Sequence, residues 1–238
     1  MNYNTGRETF LLPVKWQNEW PIILEPGKRI PYVAAAPKLP NIHPDAPPLT
    51  GNFTWRDEFD APVLDKAWLQ VRAPQRPWFD LQRQPGQLSI TPAVTPLDGL
   101  SNPTYLGRRQ QHLAFEASTA MHPPEDERVS GGLVAFQSEG YWYFFGCRRV
   151  GASVLIFLEK KSGAEVRQVA TASVKPASTI KLRIRAEGAR YAFFYDVGGE
   201  GNTWRPLVEN DDGSILSTEV AGGFVGATVG PYGRLEQQ

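Results

Sequence analysis

The sequence of 238 residues predicts an all-β protein of the sandwich type, on three observations. Glycine (22) and proline (21) punctuate the chain so heavily that almost no segment keeps a helical period for three turns. From Gly51 onward, short apolar-rich runs recur between turn signals, the rhythm of a sandwich. One run, Tyr141–Phe145 (YWYFF), is aromatic throughout. A half-exposed antiparallel strand alternates apolar with polar residues, so both faces of this one need a cover other than water. That cover is more of the same protein, a neighbouring domain, or a ligand with flat apolar faces such as a sugar.

Taken in order, residues 5–24 read as a hairpin. Phe10, Leu12, Val14 and Trp16 share a face, Gln17-Asn18 is the turn, and Trp20, Ile22 and Leu24 follow in the second strand. A lone hairpin is marginally stable, so a larger body is expected beneath it. Pro26, Pro31, Pro37, Pro40, Pro44, Pro47 and Pro48 then stiffen the backbone and remove ladder donors, which marks a connector. This divides the chain into a hairpin (1–24), a linker (25–49) and a sandwich (50–238). Strands are expected at 54–59, 68–72, 87–90, 105–109, 112–120, 131–137, 141–149, 153–160, 165–172, 179–187, 191–197, 204–207 and 224–229. Hairpin turns fall at 160–164, 187–189 and 198–202.

Lys+Arg 25 against Asp+Glu 25 gives no net charge, which removes the electrostatic case for a nucleic-acid partner. No stretch approaches the roughly 20 apolar residues of a membrane helix. The opening MNYNTGRETF has no apolar signal core, so a soluble chain without its own export address is expected. Cys147 is the single cysteine and excludes an intrachain disulfide.

The acidic residues cluster at Asp57/Glu58/Asp60, at Glu125/Asp126/Glu127 and at Glu209/Asp211/Asp212, each read as a solvated turn. Asp57 and Asp60, with Asp65, are weak calcium candidates, since hard cations want several oxygens. His43, His112 and His122 are too scattered for zinc, and no other cofactor is implied. If the strand period runs back from Leu113, Arg109 and Gln111 share its apolar face. They are then expected in a polar pocket, against sugar hydroxyls, or in a rim ion pair with Glu116 or Glu139. Trp142, Tyr143 and Phe145 are candidates to stack on pyranose rings, and Tyr191, Phe193, Phe194 and Tyr195 repeat the two-faced pattern.

GRETFLLPVKWQNEWPII, GNFTWRDEFD, NPTYLGRRQQH, GGLVAFQSE and STEVAGGFVGA, in this order between Gly6 and Gly230, resemble the C-terminal half of a family 43 β-xylosidase. The resemblance implies a concanavalin-like β-sandwich of jelly-roll type, also classed as a xylan-binding module. It also implies that the hairpin is the exit from a five-bladed β-propeller. The family's base, general acid and pKa-modulating carboxylate lie on that propeller, so no catalytic residue is expected here and the chain is expected to be inactive alone. The implied partners are xylan or xylo-oligosaccharide and the propeller itself. Arg109, Gln111, Gln137, Trp142, Tyr143, Phe145 and Phe224 form the candidate substrate-binding set. Phe224, in the AlaGlyGlyPheVal loop, matches an aromatic residue that closes the propeller's xylose pocket in the resembling enzymes. The family continues past YGRLEQQ into a further strand, so an open sheet edge is expected at this end. Two functions follow: a xylan-binding sandwich, or an interaction module that completes the propeller's pocket.

Overall fold

The computed structural model describes residues 4–7, 9–31, 33–35, 49, 51–198 and 203–236. It divides the chain into two compact units, one made of Met1–Arg7 with Asp57–Gln238, the other of Glu8–Arg56. The division inferred from sequence put residues 1–24 in one element, whereas Asn4–Arg7 pair with the sandwich.

Among its described residues, the smaller unit holds the hairpin β1 (Lys15–Gln17) and β2 (Trp20–Ile22). Its turn is Asn18-Glu19, one residue later than expected, because both residues adopt positive φ (49° and 67°), as a two-residue primed turn demands. Trp16 and Trp20 are 71% and 74% exposed.

The sandwich unit begins with three two-residue strands, β3 (Leu69–Gln70), β4 (Phe79–Asp80) and β5 (Ser89–Ile90). After β6 (Leu106–Arg109) and β7 (Ala114–Met121) come the long strands β8 (Val129–Ser138), β9 (Tyr141–Val150), β10 (Ser153–Ser162) and β11 (Glu165–Val174). Then follow β12 (Ile180–Glu187), β13 (Arg190–Val197), β14 (Arg205–Asp212), a 3-10 turn (Gly213–Leu216), the single-turn helix α1 (Thr218–Ala221) and β15 (Thr228–Leu235). A seven-stranded sheet runs β11-β10-β9-β8-β15-β6-β3 and a four-stranded sheet β14-β13-β12-β7.

The expected strand at 54–59 does not form, and Phe59 takes a positive φ of 53° there. The expected strand at 224–229 starts later, as β15. β15 pairs with β8 along its whole length and with β6 at Thr228 and Val229, and isolated bridges join Tyr232 to Tyr105 and Arg234 to Ala93.

Alternation along the strands sends side chains to opposite faces. From the large sheet, Leu133, Ala135, Tyr143, Phe145, Cys147, Ile156 and Leu158 meet Ile180, Leu182, Ile184 and Phe193 of the small one. On the other face Val134, Phe136, Trp142, Phe144, Phe157 and Tyr232 form a second cluster with Leu97 and Tyr105. The YWYFF strand is therefore covered on both sides by its own chain. Arg234 adds to the outer cover, 5.0 Å from the Phe144 ring centroid and bidentate to Glu159 at 2.7 and 2.8 Å. Burial acts to lower the pKa of this guanidinium, and the Glu159 carboxylate outweighs it, so the net direction is upward.

A polar network crosses the inter-sheet core. Lys160 pairs with Asp211 and donates to Asp212 O at 3.0 Å, while the Tyr143 hydroxyl lies 2.5 Å from Asp211 Oδ1 and 2.8 Å from Asp212 O. Burial, then the Asp211 carboxylate, drives the Tyr143 hydroxyl's pKa upward, which keeps it a donor. Glu209, Asp211 and Asp212 lie on β14, not in the solvated loop expected, because β14 extends to Asp212.

Two stability outcomes follow. Phe193→Ala removes a ring packed 5.2 Å from Tyr143 and 5.5 Å from Phe145. By urea titration it is expected to cost about 3–5 kcal/mol, while Phe224→Ala at an exposed loop stays within about 0.5 kcal/mol. Lys160→Met leaves the largely buried Asp211 carboxylate without its cation and is expected to cost roughly 3 kcal/mol, much of it recovered by adding Asp211→Leu. Equal costs for the single and double variants contradict the pairing.

Candidate functional site

The candidate site is the loop between α1 and β15. Ser217 caps α1, its hydroxyl accepting from Val220 N at 3.3 Å, and the helix ends after one turn at Gly222. Gly222 and Gly223 both take positive φ (75° and 74°), a conformation that only glycine adopts without strain. The reversal leaves Phe224 65% exposed.

Although its tip faces solvent, this loop is held from inside and outside. Inside, Gln137 sits where the β8/β9 register shifts between Phe136 and Ser138. Such an extra residue leaves the ladder and its side chain is re-aimed. Gln137 is buried, and its Nε2 donates to Gly222 O at 3.1 Å and Val225 O at 3.5 Å. Outside, Ala227 N donates to Asn4 O at 2.7 Å and Arg7 N to Phe224 O at 3.3 Å, around a bridge between Gly6 and Val225. The Arg7 guanidinium stacks 3.7 Å above the Phe224 ring centroid.

Of the substrate-binding candidates, the structure brings together Gln137 and Phe224. Trp142, Tyr143 and Phe145 are buried in the two clusters, so the stacking platform expected of them is absent from the surface. Tyr191, Phe193 and Tyr195 are core for the same reason. The period assumed through Arg109, Gln111 and Leu113 breaks, because β6 and β7 belong to different sheets and the chain crosses between them. Arg109 and Gln111 are exposed, Gln111 accepting from Arg108 at 3.4 Å. The rim pairs expected for Arg109 go elsewhere: Glu116 faces Arg183 and Arg185, and Glu139 pairs with Arg72.

At that crossing, Gln110 is the buried polar residue. It donates through Nε2 to His112 O at 3.0 Å and accepts from the Tyr191 hydroxyl at 2.8 Å. Burial pushes the Tyr191 hydroxyl up to about 12. Asn4, Arg7 and Gln110 were not legible as site residues. Nor was Lys160, which lies on β10 and not in the turn expected at 160–164.

For the calcium candidates, Asp57 spends its oxygens locally, Oδ1 accepting from Phe59 N at 2.8 Å and Oδ2 from Trp68 Nε1 at 2.7 Å. Asp60 is exposed, and Asp65 accepts from Ala67 N at 2.7 Å. Among the described residues, no three or more His, Cys, Asp or Glu side chains converge as a metal would need. A glycosidase acid needs a raised pKa. Hydrogen bonds from Arg128 hold Asp126 down to about 2, and those from Ser214 hold Asp212 below its usual range.

Known proteins share this architecture. Residues 56–236 match the family described as the β-xylosidase C-terminal concanavalin A-like domain. A xylosidase/arabinosidase from Butyrivibrio fibrisolvens is 28% identical over 232 residues, covering 95% of this chain and 43% of that protein. A β-xylosidase from Bacillus subtilis is 26% identical over 239 residues, covering 94% and 42%. The crystal structure of a GH43_12 protein retrieved from a capybara gut metagenome superposes with a TM-score of 0.83 at 27% identity, covering 98% of this chain and 44% of that one. The chain thus spans less than half the length of these relatives. It belongs to the family of β-xylosidase C-terminal concanavalin A-like domains.

Proposed function

We propose that this sandwich docks beside a family 43 β-propeller and completes its sugar pocket with Phe224. The observation that carries the reading is a large aromatic ring, 65% exposed, on a loop whose neighbours fix it by side chain, bridge and backbone hydrogen bonds. An exposed ring on a fixed loop contributes little to this fold beyond its stack with Arg7 and suits contact with a second surface. The exposed Trp16 and Trp20 of the hairpin, which resembles a propeller exit, fit the same partner. Two carboxyl groups facing each other across the glycosidic bond are required for hydrolysis. In this reading the propeller supplies them, and the sandwich supplies an apolar wall that excludes water and restricts the sugar's position.

Combining the chain with a family 43 propeller deprived of its own sandwich, in solution or by fusion, tests this. Turnover of a chromogenic xyloside is expected to rise on combination. Phe224→Ala is expected to lower kcat/KM roughly 10²-fold, the scale of losing substrate positioning. Activity indifferent to Phe224 removes the pocket role, and turnover by the chain alone overturns the reading.

A second reading, binding of xylan or xylo-oligosaccharide by the sandwich itself, retains the exposed Arg109 and Gln111 but loses the stacking platform to the core. Passage over insoluble xylan separates the two. Elution with a non-binding control protein is expected, and retention abolished by Arg109→Ala with Gln111→Ala favours the second reading.

A further inference from the structure

We infer that Asn4–Arg7, more than 200 residues away in sequence, is the segment that positions Phe224, and that the sandwich is complete only with it. The family match begins at residue 56 and leaves this segment out. The inference deepens the reading of Phe224 as a pocket wall and takes its functional meaning from it.

Three independent features tie the segment in. The first is the backbone. Ala227 N to Asn4 O, the Gly6–Val225 bridge and Arg7 N to Phe224 O form an antiparallel stitch along the whole outer edge of the loop. The second is the closeness of the two chains. A Cβ on Gly6, which has φ +77°, lands 2.3 Å from Gly226 N, and a Cβ on Gly226 lands 2.3 Å from Thr5 O. Both positions need glycine, one on each side of the contact.

The third feature is the anchor. Asn4 is 1% exposed, and its Nδ2 donates to the Tyr191 hydroxyl at 3.1 Å and to Gly213 O at 3.1 Å. Through Tyr191 it connects to Gln110, so the segment is fixed to the inter-sheet core and not to the surface alone. Breaking one link of a buried polar network leaves its partners unsatisfied, which makes the seated state of the segment strongly preferred.

Gln137 and Asn4–Arg7 therefore hold opposite sides of one loop. Arg7 is followed directly by Glu8, where the hairpin unit begins. The segment that fixes Phe224 is thus continuous in sequence with the hairpin that resembles the propeller's exit, and it acts as a positioning strap for the ring.

Amide hydrogen exchange tests the strap without any propeller. In the unmodified chain, the Arg7 and Ala227 amides are expected to exchange at least tenfold more slowly than free-peptide amides, and exchange of Arg7 at the free-peptide rate overturns the inference. Asn4→Ala removes the anchor, and Gly6→Ala adds a methyl where none fits. Each is expected to raise exchange tenfold or more at both 4–7 and 222–227, with β8–β10 unchanged. Release of 4–7 while 222–227 stays protected overturns the positioning role. Should Gly6→Ala fail to fold, Asn4→Ala and the unmodified chain still decide. With a propeller present, Gly6→Ala is expected to lower turnover as far as Phe224→Ala does, and the double variant no further. If turnover ignores Phe224→Ala, the pocket reading fails while the exchange result still judges the strap.

Discussion

The structure depends on covering one large sheet on both faces. Strand β9 carries Tyr143 and Phe145 to one side and Trp142 and Phe144 to the other, and none of these rings can be left in water. Fully burying such side chains contributes about 1.5–3 kcal/mol each. The small sheet covers one face. The stretch before β6, with its two-residue strands and its many irregular turns, supplies Leu97 and Tyr105 to the other. This explains why so much of the sandwich is loop: its task is to fill a face, and long strands are not needed for that.

The same constraint narrows the function. Stacking of a sugar on the sheet needs aromatic rings exposed there. Here the sheet's rings are consumed by folding, through contacts such as Tyr143–Tyr191 (stacked, 5.9 Å) and Phe144–Tyr232 (edge-on, 4.9 Å). Under the proposed function, recognition falls to a loop and not to a sheet face. The bulge that frees Gln137 from the ladder, the glycine pair that turns the chain, and the stitch from Asn4–Arg7 all act on Phe224. Rigid presentation of one ring reduces the entropy lost on binding, the advantage of preorganisation.

Much of the fold was legible because alternation and turn residues act locally. β9 begins at the predicted residue, and the glycines at 163 and 188 mark the expected turns with positive φ. What could not be read depends on contacts between distant residues. The break between β6 and β7 places Arg109 and Gln110 in roles opposite to those a continued period implies, and nothing in RRQQH announces that the chain changes sheets there. The YWYFF strand showed that both faces are covered but not by what, and its sugar-stacking reading gave way to packing by residues from elsewhere in the chain. Phe224 was singled out through the family resemblance and not through any pattern of its own. Its strap was not, since Asn4 and Ala227 meet only in three dimensions.

The central claim is that Phe224 faces a sugar held by a partner. A crystal structure of this chain bound to a family 43 propeller, with xylose in the propeller's pocket, measures it directly. The account predicts the Phe224 ring within about 4.5 Å of the sugar, the range of apolar contact, with Arg7, Gly6 and Asn4 still seated along the loop. A ring left in solvent, or xylose lodged on the sandwich away from the loop, contradicts it.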